Sequence, residues 1–126
     1  MFRENNCSDE GDLGIFQSKG YMTSAMIFVR KNSRYHKLMV SDIQFIRAHG
    51  SYLEIITRDE KFSLALNLSQ FIRKNPINGL VRVHRSYIVN IHSLDSFDHE
   101  FIYVDQHQIP IGNSFREQFM EGVHSF

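Results

Sequence analysis

Residues 81–90 read VRVHRSYIVN, and this stretch says more about the structure than any other part of the sequence. Two valines alternate with Arg82 and His84, a period-two pattern that is typical of a β-strand with one apolar and one polar face. Arg85 and Ser86 interrupt the alternation before a second apolar run begins. We therefore predict two short strands with Arg85 at the break between them.

An arginine at such a break can lie at the tip of a loop. Its guanidinium could then donate two parallel hydrogen bonds to a base edge or a phosphate group. The same residues also fit an ordinary surface strand whose arginine and histidine side chains are solvated. The stretch by itself leaves both interpretations open.

Short runs of β-forming residues, separated by turn residues, flank this stretch on both sides. Strands are predicted over residues 26–31, 34–40, 43–48, 52–57, 61–65, 80–85, 87–89, 101–104 and 108–111. No alternation of strands with crossover helices is apparent in this order. The sequence therefore predicts a mainly β domain.

Two short helices are predicted among these strands. Asn67 is a suitable N-cap for the first helix, and Pro76 prevents its continuation. The second helix is predicted to begin at Ser114, with Glu117 three residues later as in a capping box, and to end near Gly122. Residues 1–25 carry no hydrophobic period, so we expect a flexible N-terminal arm before a single domain over residues 26–126.

The composition excludes several classes of protein. The 126 residues fit one ordinary domain, and 42% hydrophobic residues are enough to form a core. The single cysteine, Cys7, excludes an intramolecular disulfide and a cysteine-based zinc site. The apolar runs are far shorter than the roughly 20 residues of a membrane span, and the polar N-terminus is unlike a secretory signal. We expect a cytoplasmic protein without membrane insertion.

The charges balance overall but are unevenly distributed along the chain. Fourteen basic and fourteen acidic residues give a formal net charge of zero. Residues 26–94 hold eleven basic and four acidic residues, a net charge of +7, whereas residues 95–126 have a net charge of −5. A local positive field attracts anionic partners. A solvated charged face would produce the same pattern.

No pattern of catalytic or metal-binding residues is present in the sequence. Four of the seven histidines recur at intervals of seven or eight residues, which matches no compact zinc pattern. The sequence contains neither a phosphate-binding loop, nor a nucleophile elbow, nor a paired-histidine metalloprotease motif. We predict no catalytic residues, no metal site and no cofactor.

Residues 80–97, LVRVHRSYIVNIHSLDSF, resemble the signature of the LytTR DNA-binding domain, the output module of many bacterial response regulators. Upstream, residues 27–57 are similar to the opening strands of that family, with its DI-x-x-I element and G-x-Y loop. The LSQFIRKNP helix and the closing hairpin, IYVDQHQIPIGNSFREQF, follow in the family's order. The resemblance covers about residues 26–126.

The resemblance implies both a fold and a function. LytTR domains consist of three small antiparallel sheets with little helix, and their loops enter successive major grooves of duplex DNA. Their targets are commonly imperfect direct repeats near promoters. The chain is therefore expected to be a sequence-specific DNA-binding transcription regulator. The family's usual receiver domain of about 100 residues does not fit into residues 1–25, so either a stand-alone regulator or a fragment is expected, without phosphorylation control.

The resemblance also implies three DNA-contacting segments. They are a first loop with His49, Gly50, Ser51 and Tyr52; a second segment at Arg85; and a third with Gly112, Asn113, Ser114 and Arg116. Arg82 and His84, which neighbour Arg85, are predicted to contact DNA as well. Family members commonly carry arginine where this chain has Asn113, which can read adenine but offers phosphate no charge. The basic residues that could reach phosphates are Arg30, Lys31, Arg34, Lys37, Arg47, Arg82 and Arg85.

Two functions remain open at this point. The first is a transcription regulator that binds double-stranded DNA as a homodimer or as tandem copies on direct repeats. The second is a module of the same fold that binds a sensor or regulatory protein and has weak or no DNA binding. The neutral net charge and Asn113 favour the second, whereas the full set of motifs favours the first.

Overall fold

The computed structural model describes residues 13–17, 25–74 and 77–123. Over these residues it contains strands, two α-helices and one 3-10 turn. The elements are β1 (Leu13–Gln17), β2 (Ala25–Lys31), β3 (Arg34–Met39), the 3-10 turn Val40–Asp42, β4 (Ile43–His49), β5 (Tyr52–Thr57), β6 (Lys61–Leu64), α1 (Leu68–Lys74), β7 (Leu80–His84), β8 (Tyr87–Asn90), β9 (Ser96–Phe97), β10 (Phe101–Val104), β11 (His107–Pro110) and α2 (Asn113–Gly122).

The strands of the described residues form three antiparallel sheets. Their orders are β1-β2-β3, β6-β5-β4-β8-β7 and β11-β10-β9. The mainly β fold with short antiparallel sheets and two short helices is therefore confirmed. The larger, five-stranded sheet is called the central sheet below.

The central sheet is buried on both faces. Because successive side chains of a strand point to opposite faces, Phe45 and Ile46 of β4 enter different hydrophobic clusters, as do Ile88 and Val89 of β8. One cluster also takes its residues from β2, β3 and α1, namely Ile27, Val29, Leu38, Leu68 and Phe71. The other takes its residues from β10, β11 and α2, namely Ile102, Val104, Ile109 and Phe119.

The two helices begin in different ways. Asn67 caps α1 as predicted, because its Oδ1 accepts from the Gln70 N–H at 2.8 Å while Gln70 Oε1 accepts from the Asn67 N–H at 2.9 Å. The capping box predicted at Ser114 is wrong. The helix α2 already begins at Asn113, after Gly112, whose N–H is bonded to the Val83 carbonyl at 2.7 Å.

Two strands were not predicted from the sequence. Five residues of the predicted arm, Leu13–Gln17, form β1 and pair with β2 from Ala25 to Val29. The backbone of these five residues is paired with a neighbouring strand, and the flexible arm as a whole stays a prediction. The remainder of the predicted arm lies outside the described residues, and the domain boundary at residue 26 stays a prediction. The other strand, β9, has only two residues. No described helix has the length and apolar character needed to cross a membrane.

Candidate nucleic-acid interface

The first two predicted segments lie at the same end of the central sheet. The β4–β5 turn is closed by His49 opposite Tyr52. Since β8 begins beside the last residues of β4, the β7–β8 turn lies at that end as well. The Ala48 N–H joins the two turns directly by donating to the Ser86 carbonyl at 2.9 Å.

The third segment packs against the second. Besides its hydrogen bond to Val83, Gly112 lies so close to β7 that an added Cβ would be 3.5 Å from the His84 Cα and 3.2 Å from Phe115 Cδ2. A side chain at this position would fit against the strand but would require the Phe115 ring to shift slightly. The segments around residues 50, 85 and 113 consequently form one edge, which we call the loop edge.

The first turn presents polar and aromatic groups to solvent. Gly50 has φ +65° at the first central position of the hairpin, where a left-handed conformation favours glycine. His49 and Ser51 are exposed. Tyr52 is 52% exposed, which is unusual for so large a hydrophobic side chain in this protein. Exposed aromatic residues of this kind are typical of interfaces.

The second turn is braced by the imidazole of His84. The Ser86 N–H donates to His84 Nδ1 at 3.0 Å, and the Tyr87 ring makes a T-shaped contact with the imidazole at 5.6 Å. Burial lowers the pKa of His84, and the charges of Arg85 and Arg82 lower it further. Arg85 itself is exposed at the tip of the turn.

Arg82 folds back onto the protein. Its Nε donates to the His84 carbonyl at 3.0 Å, its Nη2 to the Arg85 carbonyl at 2.7 Å and its Nη1 to Ser69 Oγ at 3.2 Å. The guanidinium also lies 5.7 Å from the centre of the Phe115 ring. Burial lowers the pKa of Arg82, but an arginine stays charged under all ordinary conditions.

Arg116 has a similar arrangement in the third segment. Its Nε donates to the His99 carbonyl at 2.6 Å, its Nη1 to Asn113 Oδ1 at 2.8 Å and its Nη2 to the Ile111 carbonyl at 3.3 Å. Asn113 and Ser114 are exposed beside it. Arg116 therefore donates to the side-chain carbonyl oxygen of Asn113, a residue that is itself exposed.

Comparison with known proteins agrees with this architecture. Residues 33–123 match the family described as the LytTr DNA-binding domain. The chain belongs to the LytTR family. It is 25% identical over 101 residues to the transcriptional regulatory protein YpdB of Escherichia coli K12, a match that covers 75% of this chain and 41% of YpdB. It is 20% identical over 98 residues to a response regulatory protein of Vibrio cholerae, covering 71% and 38% of the two chains.

The fold of this LytTR domain also resembles a solved structure. A LytTr DNA-binding domain from Bacillus cereus superposes with a TM-score of 0.65 at 17% identity, over 79% of this chain and 96% of that one. The chain spans about two fifths of the length of the curated relatives that it matches.

Apart from the two glycines, the nine residues predicted to contact DNA divide into two groups. Six are exposed on the loop edge, namely His49, Ser51, Tyr52, Arg85, Asn113 and Ser114. The other three, Arg82, His84 and Arg116, are half-buried and bonded to the protein's own groups. The partners Ser69 and His99 were not predicted, because contacts across 13 and 17 residues leave no local sequence signal.

Arg47 and Lys31, which were expected to reach phosphates, contact other residues of the LytTR domain. Arg47 Nε donates to Glu54 Oε1 at 2.8 Å, and this bond lowers the pKa of the buried Glu54 carboxyl. The ammonium group of Lys31 lies 5.1 Å from the centre of the Phe62 ring. Among the described residues no cluster of histidine, cysteine, aspartate or glutamate could hold a metal ion.

Proposed function

We propose that this LytTR domain is a sequence-specific transcription regulator that inserts its loop edge into successive major grooves of duplex DNA. Direct repeats near promoters are the proposed sites, bound by a dimer or by tandem copies. The observation that carries the proposal is the convergence of three separate segments on one edge, joined by the Ala48–Ser86 and Val83–Gly112 backbone hydrogen bonds. The names of the relatives, which are regulatory proteins, support a role in regulation and a sensor or regulatory partner.

The exposed side chains of the loop edge suit base recognition. Arg85 can donate two parallel hydrogen bonds to guanine, and the amide of Asn113 can pair with adenine. The Tyr52 ring can contact a thymine methyl group, while the hydroxyl groups of Ser51 and Ser114 suit phosphate oxygens.

The beginning of α2 offers backbone groups to a phosphate. Within the described structure no side chain caps α2 at Gly112. The first N–H groups of a helix have no partner within the helix and bind anions well. This arrangement compensates in part for Asn113, which carries no charge.

A module that binds a protein partner is the second candidate. It is favoured by Asn113 and by the internal bonds of Arg82 and Arg116, which withdraw two positive charges from solvent. Such a module would retain the fold but would not discriminate between DNA sequences.

Selection from randomised duplexes tests the proposal. The protein is incubated with the pool at two salt concentrations, and the bound duplexes are sequenced and then measured by fluorescence anisotropy. We expect a repeated motif to be enriched and the affinity to fall as salt rises. The absence of enrichment and of salt dependence would reject DNA recognition, and a pull-down would then test the protein-binding module.

Arg85→Ala is expected to weaken binding to the selected duplex by about 1–3 kcal/mol and to relax specificity at the base it contacts. The matched control is Arg58→Ala. Arg58 is an exposed arginine in the β5–β6 turn, at the opposite end of the central sheet. Anisotropy titrations measure the affinity of both variants for the selected duplex. Equal losses of affinity would show only a general effect of positive charge and would contradict a base contact by Arg85.

A further inference from the structure

The β7–β8 hairpin lacks part of the regular backbone hydrogen-bond ladder that stabilises a hairpin next to its turn. The pairing of β7 with β8 shifts register between Arg82 and His84, as in a β-bulge. A bulge leaves an extra residue unpaired and bends the strand. The carbonyl of that residue, Val83, is instead bonded to Gly112 on α2. The turn that carries Arg85 therefore depends on contacts outside the ladder.

The Arg82 guanidinium supplies these contacts from one rigid plane. Two of its nitrogens bind the consecutive carbonyls of His84 and Arg85, which orients the peptide groups on both sides of the Arg85 Cα. Its third nitrogen donates to Ser69 on α1, and the guanidinium lies over the Phe115 ring of α2. The turn is thus tied to both helices through a single side chain.

We propose that Arg82 is a positioning residue, which fixes the turn so that Arg85 is presented to DNA, rather than a phosphate contact of its own. The inference rests on the proposed function, because Arg85 is taken as the residue that reads a base. A flexible turn would have to become ordered when DNA binds. The prearranged turn avoids that entropic cost.

Arg82→Lys separates the two roles. Lysine keeps the positive charge, so a phosphate contact would largely survive. The compact ammonium group cannot donate to two carbonyls and a hydroxyl in the fork geometry of a guanidinium. We expect Arg82→Lys to weaken binding to the selected duplex about 5- to 100-fold, as does Arg85→Ala, without a change in the salt slope.

A double-mutant cycle tests whether Arg82 acts through Arg85. In an Arg85→Ala background, Arg82→Lys should weaken binding by no more than about 2-fold, because the residue being positioned is already absent. Independent, additive losses would overturn the inference. Wild-type affinity of Arg82→Lys would overturn it as well.

Amide hydrogen exchange in the free protein provides a readout that does not require DNA. The Ser86 N–H, which donates to His84 in the wild type, should exchange faster in Arg82→Lys, whereas the amides of Ile55 and Ile56 in β5, away from this turn, should not change. Ser69→Ala removes one partner without altering a charge and should show a smaller effect in the same direction. Melting temperatures identify a variant that fails to fold.

The outcomes distinguish this inference from the proposed function. If the wild type selects no duplex, the proposed function fails, and the Ser86 exchange rate alone decides whether Arg82 fixes the turn. If the wild type binds and Ser86 exchanges at the same rate in both proteins, the positioning role is rejected while the proposed function stands.

Discussion

At the scale of single residues, His84 has one ring nitrogen engaged in its own turn. Because Nδ1 accepts the Ser86 N–H, it carries no proton. Burial first, and then the charges of Arg85 and Arg82, keep the pKa of His84 below its ordinary value, while the Tyr87 ring packs against the imidazole. Protonation would break this hydrogen bond and place a third positive charge in the turn.

Acidification is therefore expected to destabilise the protein through His84. The unfolded chain takes up the proton near the ordinary histidine pKa, about 6.5, whereas the folded chain takes it up only at lower pH. The stabilisation that comes from the neutral imidazole is fully present above about pH 6.5. It is lost as the pH falls through the pKa that His84 has in the folded protein. His84→Asn retains an acceptor and does not titrate. The free energy of unfolding, measured with urea, should therefore fall less on acidification in this variant than in the wild type. Parallel pH profiles would contradict this expectation.

The positions of single residues could be predicted from the sequence, but the directions of their side chains could not. The alternation around Arg82 correctly placed it on a strand beside the turn, and Arg85 at the break is exposed as expected. The direction of the Arg82 side chain could not be predicted, because its partners lie on α1 and α2. The same holds for Arg116, whose bond to His99 crosses from α2 to the β9–β10 loop.

At the scale of secondary-structure elements, α1 is a seven-residue helix that supplies Ser69 to Arg82. So short a helix is not stable by itself and depends on its cap and on its packing. Asn67 and Gln70 satisfy each other's backbone N–H groups at its beginning.

Asn67→Ala is expected to lower the free energy of unfolding by about 0.5–2 kcal/mol, because a backbone donor at the start of α1 loses its acceptor. Gln70→Ala removes only the reciprocal bond and should cost less. Thermal or urea unfolding measures both variants. A larger loss for Gln70→Ala would show that the cap is not the source of the stability.

Element boundaries were predictable where the signal is local. Asn67 and Pro76 bracket α1 in the sequence, and the β5 and β10 strands have the predicted bounds. By contrast, β1 and β9 were not predicted, since each depends on pairing with another strand rather than on its own pattern. The start of α2 differs by one residue because Gly112 is held by β7.

At the scale of the whole molecule, the central sheet separates two hydrophobic clusters in the described part of the chain. The sequence predicts the strands of this sheet but not their order, because β8 pairs with β4 across some forty residues. The three-sheet arrangement was expected only from the family resemblance. The loop edge follows from that order, since antiparallel neighbours bring their turns to the same end.

The distribution of charge over the whole molecule leads to a final prediction. The chain has no formal net charge, yet residues 26–94, which include the whole central sheet, carry a net charge of +7. If about 3–5 phosphates are neutralised, the logarithm of the binding constant should fall with the logarithm of salt concentration at a slope of roughly −3 to −5. Arg58→Gln, at the far end of the sheet, should leave this slope unchanged. A slope near zero in anisotropy titrations of the selected duplex would show that net charge, rather than the local field, governs the encounter.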